Sequence, residues 1–149
     1  MYLVSAQEMR QMDHLAMEEL GIPPAVLMEN AGAALAREIR RQYPDVRRVL
    51  VLAGAGNNGG DGFVTARWLA NQGLAVTLCF LGKEKRLSEE SALHLNVLRR
   101  MKEKVELVPA APGSAVGLNE VRHYLEQAEL VVDALFGVGL NRPIQGEMA

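Results

Sequence analysis

The chain has 149 residues, of which 49% are hydrophobic and 23% charged, as is typical of one globular domain. Its formal net charge is −2 at pH 7 and its basic residues are scattered, so the sequence offers no basic patch for nucleic acid or an anionic membrane surface. The single cysteine, Cys79, excludes an internal disulfide and a cysteine metal cluster.

The localisation and the histidines follow from simple patterns. No apolar run approaches the roughly 20 residues that span a bilayer, and the amino terminus lacks the pattern of a secretion signal. We therefore expect a cytoplasmic protein without membrane contact. His14, His94 and His123 have no acidic or ligand-forming companion in the sequence, so we expect surface or packing residues rather than metal ligands.

Two helices are predicted at the amino terminus. The first ends at Gly21, and Pro23-Pro24 can open the second. Each is expected to bury one apolar face. The apolar residues at helical spacing in the first segment are Met9, Met12, Ala16 and Leu20. Methionine at this spacing is typical of core or dimer packing, which is compatible with a homodimer.

Short Val- and Leu-rich runs then alternate with helical stretches. Strands are predicted at residues 46–54, 74–82, 104–110 and 130–137, and helices at 62–71, 88–101 and 118–126. This alternation is typical of β-α-β units with a parallel sheet and right-handed crossovers. The predicted fold class is α/β in a single domain.

A glycine-rich segment, LAGAGNNGGDG at residues 52–62, lies between the first predicted strand and its helix. It contains G-x-G-x-x-G, formed by Gly54, Gly56 and Gly59. Such glycines permit a tight turn and close approach of a ligand, and the N–H groups at the helix start favour an anion. The segment therefore indicates nucleotide binding.

The positions of the acidic residues differ from those in an ordinary NAD-binding unit. There, an acid at the end of the second strand binds the ribose hydroxyls. Here that strand ends Phe80-Leu81-Gly82-Lys83, with Glu84 as the only near acid, so Lys83 is a candidate ribose or phosphate contact and equally a solvated turn residue. An unexpected acid, Asp61, follows the glycines. This pattern disfavours a nucleotide-dependent oxidoreductase.

A second acid, Asp133, lies toward the end of the fourth predicted strand. In doubly wound sheets the first and fourth strands usually lie side by side, and ligands bind beyond their carboxyl ends. Asn58, Asp61 and Asp133 are then expected to converge on one crevice, where two carboxylates indicate acid-base chemistry or a bound cation. Alternatively, Asp61 caps its helix and Asp133 accepts hydrogen bonds from backbone N–H groups.

Three motifs, in order, carry a family resemblance. They are LMENAG at residues 27–32, NNGGDGFV-x-AR at residues 57–67 and VDALFG-x-GL at residues 132–140. With these motifs the chain resembles the NAD(P)H-hydrate epimerase family, also called the YjeF N-terminal domain. The resemblance implies a Rossmann-like three-layer α/β/α sandwich with a mostly parallel sheet and two extra amino-terminal helices.

The resemblance also implies an activity and a set of site residues. Family members interconvert the R and S forms of hydrated NADH and NADPH, NADHX and NADPHX, in nucleotide repair. Carried onto this chain, the family's potassium ligands are Asn58 and Asp133. The catalytic candidates, Asp133 and Asp61, are a hypothesis based on the need for a carboxylate that donates and recovers a proton. The implied substrate-binding residues are Asn57, Asn58, Gly59, Gly60, Asp61, Gly137, Val138, Gly139, Leu140, Asn141, Arg142 and Pro143. The alternative is a non-catalytic nucleotide-binding or protein-association module, since the family also includes domains used for protein association.

The two acids are expected to differ in their roles. The dipole at a helix start favours an ionised Asp61 with a low pKa, which suits it to binding substrate hydroxyls. Asp133 follows buried valines, so partial desolvation is expected to raise its pKa toward a value useful for proton exchange, although a cation would lower it. We therefore expect Asp133 to matter more for epimerisation.

The family pattern continues beyond the last residues of this sequence. After Gln145-Gly146-Glu147, family members have a further strand whose end supplies another substrate-binding Asp and another potassium ligand. We therefore expect residues 1–149 to form one such domain, incomplete at its carboxyl end.

Overall fold

The computed structural model describes residues 4–109 and 115–137. The described residues form helices α1 (Ala6–Glu18), α2 (Pro24–Gln42), α3 (Asn57–Asn71), α4 (Glu89–Arg100) and α5 (Ala115–Gln127), and strands β1 (Arg48–Ala53), β2 (Ala75–Phe80), β3 (Val105–Pro109) and β4 (Leu130–Ala134). A short 3-10 helix, Glu84–Arg86, lies between β2 and α4. None of the helices in these ranges has the length and apolar composition needed to cross a membrane.

The four strands form one parallel sheet in the order β3-β2-β1-β4. β1 lies in the centre beside β4, with Leu52 opposite Asp133. The predicted α/β class and the predicted neighbourhood of the first and fourth strands are confirmed. The carboxyl ends of β1 and β4 therefore meet at one edge of the sheet, which is where doubly wound sheets bind their ligands.

Alternating residues of β1 face two layers of helices. Val49, Val51 and Ala53 are buried in the larger core, together with residues of α2, α3 and α4. Leu50 and Leu52 belong to a smaller core, which Val121 and Tyr124 of α5 and the following Ala128 close. Because both faces of β1 are covered, its sequence from Val49 to Ala53 is a continuous apolar run, as expected of a parallel strand.

Helix α3 lies unusually close to the sheet. Gly62 is buried, and a Cβ atom at this position would lie 2.7 Å from the Cβ atom of Ala134 and 3.4 Å from Cγ1 of Val51. Real Cβ atoms do not approach so closely, so only glycine allows this spacing. Gly62, the last residue of the glycine-rich segment, therefore sets the distance of α3 from β1 and β4.

A polar cluster joins α2 to α3 and α4. The Glu29 carboxylate accepts hydrogen bonds from the Arg67 guanidinium and from Nε1 of Trp68, the latter at 2.8 Å. Burial raises the pKa of Glu29, but the hydrogen bonds and the charge of Arg67 outweigh it and leave that pKa below its usual value. His94 is buried, with Nδ1 3.9 Å from a Glu29 oxygen and Nε2 3.4 Å from the Ala25 carbonyl oxygen. His94 is thus a packing residue as expected, but the expectation that it lacks an acidic companion is wrong.

Helix α1 does not bury an apolar face, so that prediction is wrong. No residue of α1 is buried, and Met9, Met12 and Leu15 are 46%, 56% and 47% exposed. A capping box between Ser5 and Glu8 stabilises its first turn. Helical spacing predicts the helix correctly, but it does not reveal whether the described part of the chain offers a surface for it.

Replacing Gly62 by alanine tests the contact between α3 and β4. An added methyl group gains about 1 kcal/mol in helix propensity but must push against Ala134, so we expect a net loss of about 1–3 kcal/mol in the free energy of unfolding. The change Ala134→Gly vacates that space. In urea unfolding, the double variant should therefore be more stable, by about 1 kcal/mol, than the sum of the effects of Gly62→Ala and Ala134→Gly predicts. A Gly62→Ala variant as stable as the parent protein contradicts the close contact.

Candidate functional site

The segment Asn57–Asp61 is helical, whereas the sequence predicted a loop followed by a helix from residue 62. Gly56 is the N-cap residue with φ −84° and ψ 179°, and the N–H of Gly60 donates to the Gly56 carbonyl oxygen at 3.2 Å. The helix therefore includes Asn57, Asn58, Gly59 and Gly60 in its first turn. Tight packing overrides the low helix propensity of the glycines.

No side chain caps this end of α3. The first N–H groups of a helix have no partner within it, and together with the helix dipole they attract an anion. A Cβ atom added at Gly56 would meet nothing within 4 Å, so the space beside the cap is open. The amino end of α3 is therefore a reachable anion-binding position.

Two glycines of the G-x-G-x-x-G motif allow close backbone packing. A Cβ atom at Gly54 would lie 2.3 Å from the Leu135 carbonyl oxygen, and one at Gly59 would lie 2.0 Å from the Gly54 carbonyl oxygen. The N–H of Gly54 also donates to the Ala134 carbonyl oxygen at 3.0 Å. The Cβ sides of Gly54 and Gly59 are thus filled by neighbouring backbone, whereas that of Gly56 borders open space. The role of these glycines in close ligand approach stays a prediction.

Asn58 connects α3 to the end of β4. Its Nδ2 donates to the Phe136 carbonyl oxygen at 3.0 Å, and its Oδ1 takes no part in this bond. A Cβ atom at Gly137 would lie 3.2 Å from Cβ of Asn58, so this glycine is in contact with the same side chain. The predicted proximity of Asn58 to the end of the fourth strand is confirmed. The remaining residues of that segment, Val138, Gly139, Leu140, Asn141, Arg142 and Pro143, lie outside the described residues.

Asp133 is exposed, so the partial desolvation that was expected of it is not found. Its Oδ1 accepts a hydrogen bond from the N–H of Leu135 at 3.0 Å. This is the alternative considered for Asp133, a strand-end carboxylate bonded to the backbone. The bond fixes the turn that follows β4, and it leaves the second carboxylate oxygen, Oδ2, for other partners.

Asp61 is the acid with the perturbed environment. Its pKa is raised to about 6, first because burial disfavours the charged form and second because the carboxylate of Asp13 in α1 repels it. The expectation of a low pKa is wrong because Asp61 lies in the second turn of α3, beyond the uncapped N–H groups, and is half-buried. The alternative that Asp61 caps the helix is also wrong, because Gly56 holds that position.

The structure does not bring the carboxylates of Asp61 and Asp133 together. Asp133 is in register with Leu52, whose side chain packs in the core beneath α5, whereas α3 covers the opposite face of the sheet. The charged neighbour that raises the pKa of Asp61 is Asp13 rather than Asp133. Asn58 and Asp133 instead share the turn after β4, through Phe136 and Leu135 respectively.

The side chains at this shared turn offer two oxygen donors. Oδ1 of Asn58 and Oδ2 of Asp133 are oxygen donors of the kind that alkali and alkaline-earth cations prefer. The described residues contain no group of three His, Cys, Asp or Glu side chains that could hold a metal ion. The two oxygen donors therefore fit a weakly held cation with further ligands from backbone carbonyls or water.

Sequence reasoning missed Asp13 and Glu29. Asp13 lies 48 positions before Asp61 on an exposed helix, and its position gives no signal of a contact with the site. Glu29 belongs to the LMENAG motif, and its place in that motif could have marked it as a candidate. Its pairing with Arg67 depends on how α2 packs on α3, which the sequence does not show.

Known proteins match this chain over nearly its whole length. The profile of the family described as YjeF-related protein N-terminus matches residues 24–149. An NAD(P)H-hydrate epimerase of Weissella koreensis is 39% identical over 97% of this chain and 61% of its own length. A bifunctional NAD(P)H-hydrate repair enzyme Nnr of Moorella thermoacetica is 39% identical over 98% of this chain and 27% of its own length. The chain therefore spans less than two thirds of either relative.

A solved structure shows the same fold. The crystal structure of yeast ynu0 superposes with a TM-score of 0.79 and 28% sequence identity, covering 97% of this chain and 60% of the yeast chain. The three-layer arrangement, the order of the motifs and the family profile agree. This chain belongs to the family of the YjeF-related protein N-terminus.

Proposed function

We propose that this chain epimerises the R and S forms of hydrated NADH and NADPH in the cytoplasm as a nucleotide-repair enzyme. The observation that carries the proposal is Asp61, a half-buried carboxyl group with a pKa of about 6 beside the uncapped amino end of α3. The similarity to proteins named NAD(P)H-hydrate epimerase and NAD(P)H-hydrate repair enzyme supplies the reaction.

The amino end of α3 binds the pyrophosphate in this proposal. Free N–H groups at Asn57, Asn58 and Gly59 and the positive end of the helix dipole suit an anion, and Gly56 leaves the approach open. Gly60, which the sequence also predicts to bind the substrate, packs on its Cβ side against the side chains of Met28 and Ser91. Gly137 contacts the side chain of Asn58, and the residues 138–143 that the sequence predicts to bind the substrate follow it in the sequence.

Asp61 then exchanges the proton. In the substrate, C6 of the reduced nicotinamide ring carries a hydroxyl group next to the ring nitrogen. The nitrogen lone pair expels this hydroxyl while protonated Asp61 donates its proton, which gives water and a ring cation. Water adds to the other face, and the Asp61 carboxylate takes the proton back. The steps balance, and an acid with a pKa near the working pH is suited to both directions.

A potassium ion belongs to the shared turn in this proposal. Asn58 would hold it through Oδ1 and Asp133 through Oδ2, while Phe136 and Leu135 keep both side chains in place. When bound, the ion supplies positive charge near the substrate anion. Asp133 is thus proposed as a cation ligand that shapes the turn, and Asp61 as the proton-exchanging group, which reverses the ranking expected from the sequence.

The change Asp61→Asn should lower epimerisation by at least about 100-fold, because it removes the acid-base group, while nucleotide binding remains. The rate is followed as R-NADHX consumption coupled to an S-specific dehydratase. Asp45→Asn is the matched control, since Asp45 is an exposed acid before β1. Asp133→Asn should retain more activity than Asp61→Asn at saturating potassium. Turnover of the Asp61→Asn protein within a few-fold of the parent, or no turnover by the parent itself, contradicts the proposed function.

The raised pKa of Asp61 also predicts the direction of a pH effect on stability. The group binds its proton more tightly when folded, with a pKa of about 6 against about 3.9 when unfolded, so its cost to stability is absent below pH 4 and complete above pH 6. After discounting for solvent screening, Asp61→Asn should add about 1–2 kcal/mol to the free energy of unfolding at pH 7.5. It should add little at pH 4. Urea titrations at both pH values check this, and equal stability of the two proteins at pH 7.5 contradicts it.

The cation is tested by thermal unfolding without any activity measurement. At tenfold excess over its dissociation constant, a bound ion adds about 1.4 kcal/mol, so Tm in KCl should exceed Tm in tetramethylammonium chloride of equal ionic strength by about 2–5 °C. Asn58→Ala should remove this difference between the salts, whatever it does to stability itself. Identical Tm values for the parent protein in both salts contradict a specific site.

A further inference from the structure

The segment that follows β2 lies beside the glycine-rich segment. The N–H of Leu81 donates to the carbonyl oxygen of Ala53 at 2.9 Å, so the chain leaving β2 stays next to the end of β1. A Cβ atom at Gly82 would lie 2.8 Å from the backbone N of Ala55, within van der Waals contact of the G-x-G-x-x-G segment. Lys83 is therefore the first residue after this contact, at the carboxyl edge of the sheet.

The charge of this segment is positive. Lys83, Lys85 and Arg86 are exposed, and Glu84 is the one acid among residues 81–88. The Glu84 carboxylate is held by the guanidinium of Arg99 in α4. The next acids, Glu89 and Glu90, belong to the first turn of α4, beyond its N-cap Ser88. No unpaired carboxylate in the segment is therefore placed to accept hydrogen bonds from ribose hydroxyls.

Dinucleotide folds use the end of the second strand to distinguish their nucleotides. A carboxylate there binds the 2′-hydroxyl of the adenosine ribose, whereas a basic side chain accommodates a 2′-phosphate. A carboxylate would repel the phosphate, and a basic group attracts it through charge-assisted hydrogen bonds. In this chain Lys83 occupies the position and no free acid lies there, which is the arrangement that accommodates a 2′-phosphate.

We propose that Lys83 binds the 2′-phosphate of the adenosine ribose and makes the protein prefer the phosphorylated substrate, NADPHX, over NADHX. The proposal rests on the proposed function, because the pyrophosphate must lie at the amino end of α3 for the adenosine to reach the end of β2. It assigns to Lys83 the place where an NAD-selective unit has its acid.

The experiment compares two ligands that differ only in the 2′-phosphate, adenosine 2′,5′-bisphosphate and adenosine 5′-monophosphate, by isothermal titration calorimetry. The parent protein should bind the bisphosphate at least about tenfold more tightly, as expected for one charge-assisted contact at an exposed site. Lys83→Gln should abolish most of this ratio and leave the affinity for the monophosphate unchanged. Lys102→Gln is the matched control, because Lys102 lies before β3 at the opposite edge of the sheet and should change neither affinity.

Three outcomes overturn the proposal: equal affinity of the parent protein for the two ligands, binding of neither, or an unchanged ratio in Lys83→Gln. The epimerisation assay separates this result from the proposed function. Epimerisation of NADHX and NADPHX at a ratio that Lys83→Gln does not alter refutes the role of Lys83 alone. Bisphosphate binding that depends on Lys83 in a protein without epimerisation refutes the proposed activity alone.

Discussion

Glycines form the close contacts between the first half of α3 and its neighbours. Gly62 lies against Ala134 of β4, Gly60 against Met28 of α2, and Gly59 against the backbone of Gly54. Each contact would bring an added Cβ atom to within 2.7 Å of another atom, so the helix is held against three elements at once. Because protein interiors are densely packed, such contacts leave α3 little freedom to shift. The amino end of α3 is consequently a fixed point for binding.

The same packing explains why an acid at this place has an unusual pKa. Asp61 follows Gly60 and precedes Gly62, so its side chain leaves a backbone that is pressed against α2 and β4, and it is half-buried. Burial and the nearby Asp13 raise its pKa to about 6. An ionised carboxylate in this position lowers stability above that pH. Groups that lower stability in this way are common at sites kept for function rather than for folding.

The sequence predicted the fold well where local and global signals agree. The strand β1 is apolar from Val49 to Ala53 because both of its faces are covered, and the order of strands follows from the parallel crossovers. It predicted α1 as a helix, but helical spacing contains no information on whether a partner surface exists for Met9 and Met12. The start of α3 was missed because three of its first six residues are glycines, which have low intrinsic helix propensity, and only tertiary contacts stabilise them in a helix.

The candidate site was predicted in composition but less well in arrangement. Motifs identify Asn58, Asp61 and Asp133, and adjacency of β1 and β4 follows from topology. The side of the sheet on which each acid lies depends on strand register, because successive side chains of a strand point to opposite faces. Asp133 is in register with Leu52 and therefore faces α5, while Asp61 lies with α3 on the other face. The raised pKa of Asp61 depends on burial and on Asp13, which are properties of the folded chain alone.

The rigid and the peripheral parts of the site have different consequences for chemistry and for selectivity. Proton exchange requires a group held within a fraction of an ångström, and Asp61 lies on α3, whose glycines pack closely against α2, β4 and Gly54. Recognition of a 2′-phosphate requires only charge at the correct edge, and Lys83 is an exposed residue on a short connection between β2 and α4. A substitution at Lys83 therefore changes binding without moving α3, whereas a substitution at Gly62 moves α3 and with it Asp61. Selectivity for the nucleotide can change independently of the reaction in such an arrangement, because Lys83 lies on an exposed connection and Asp61 on the packed helix α3.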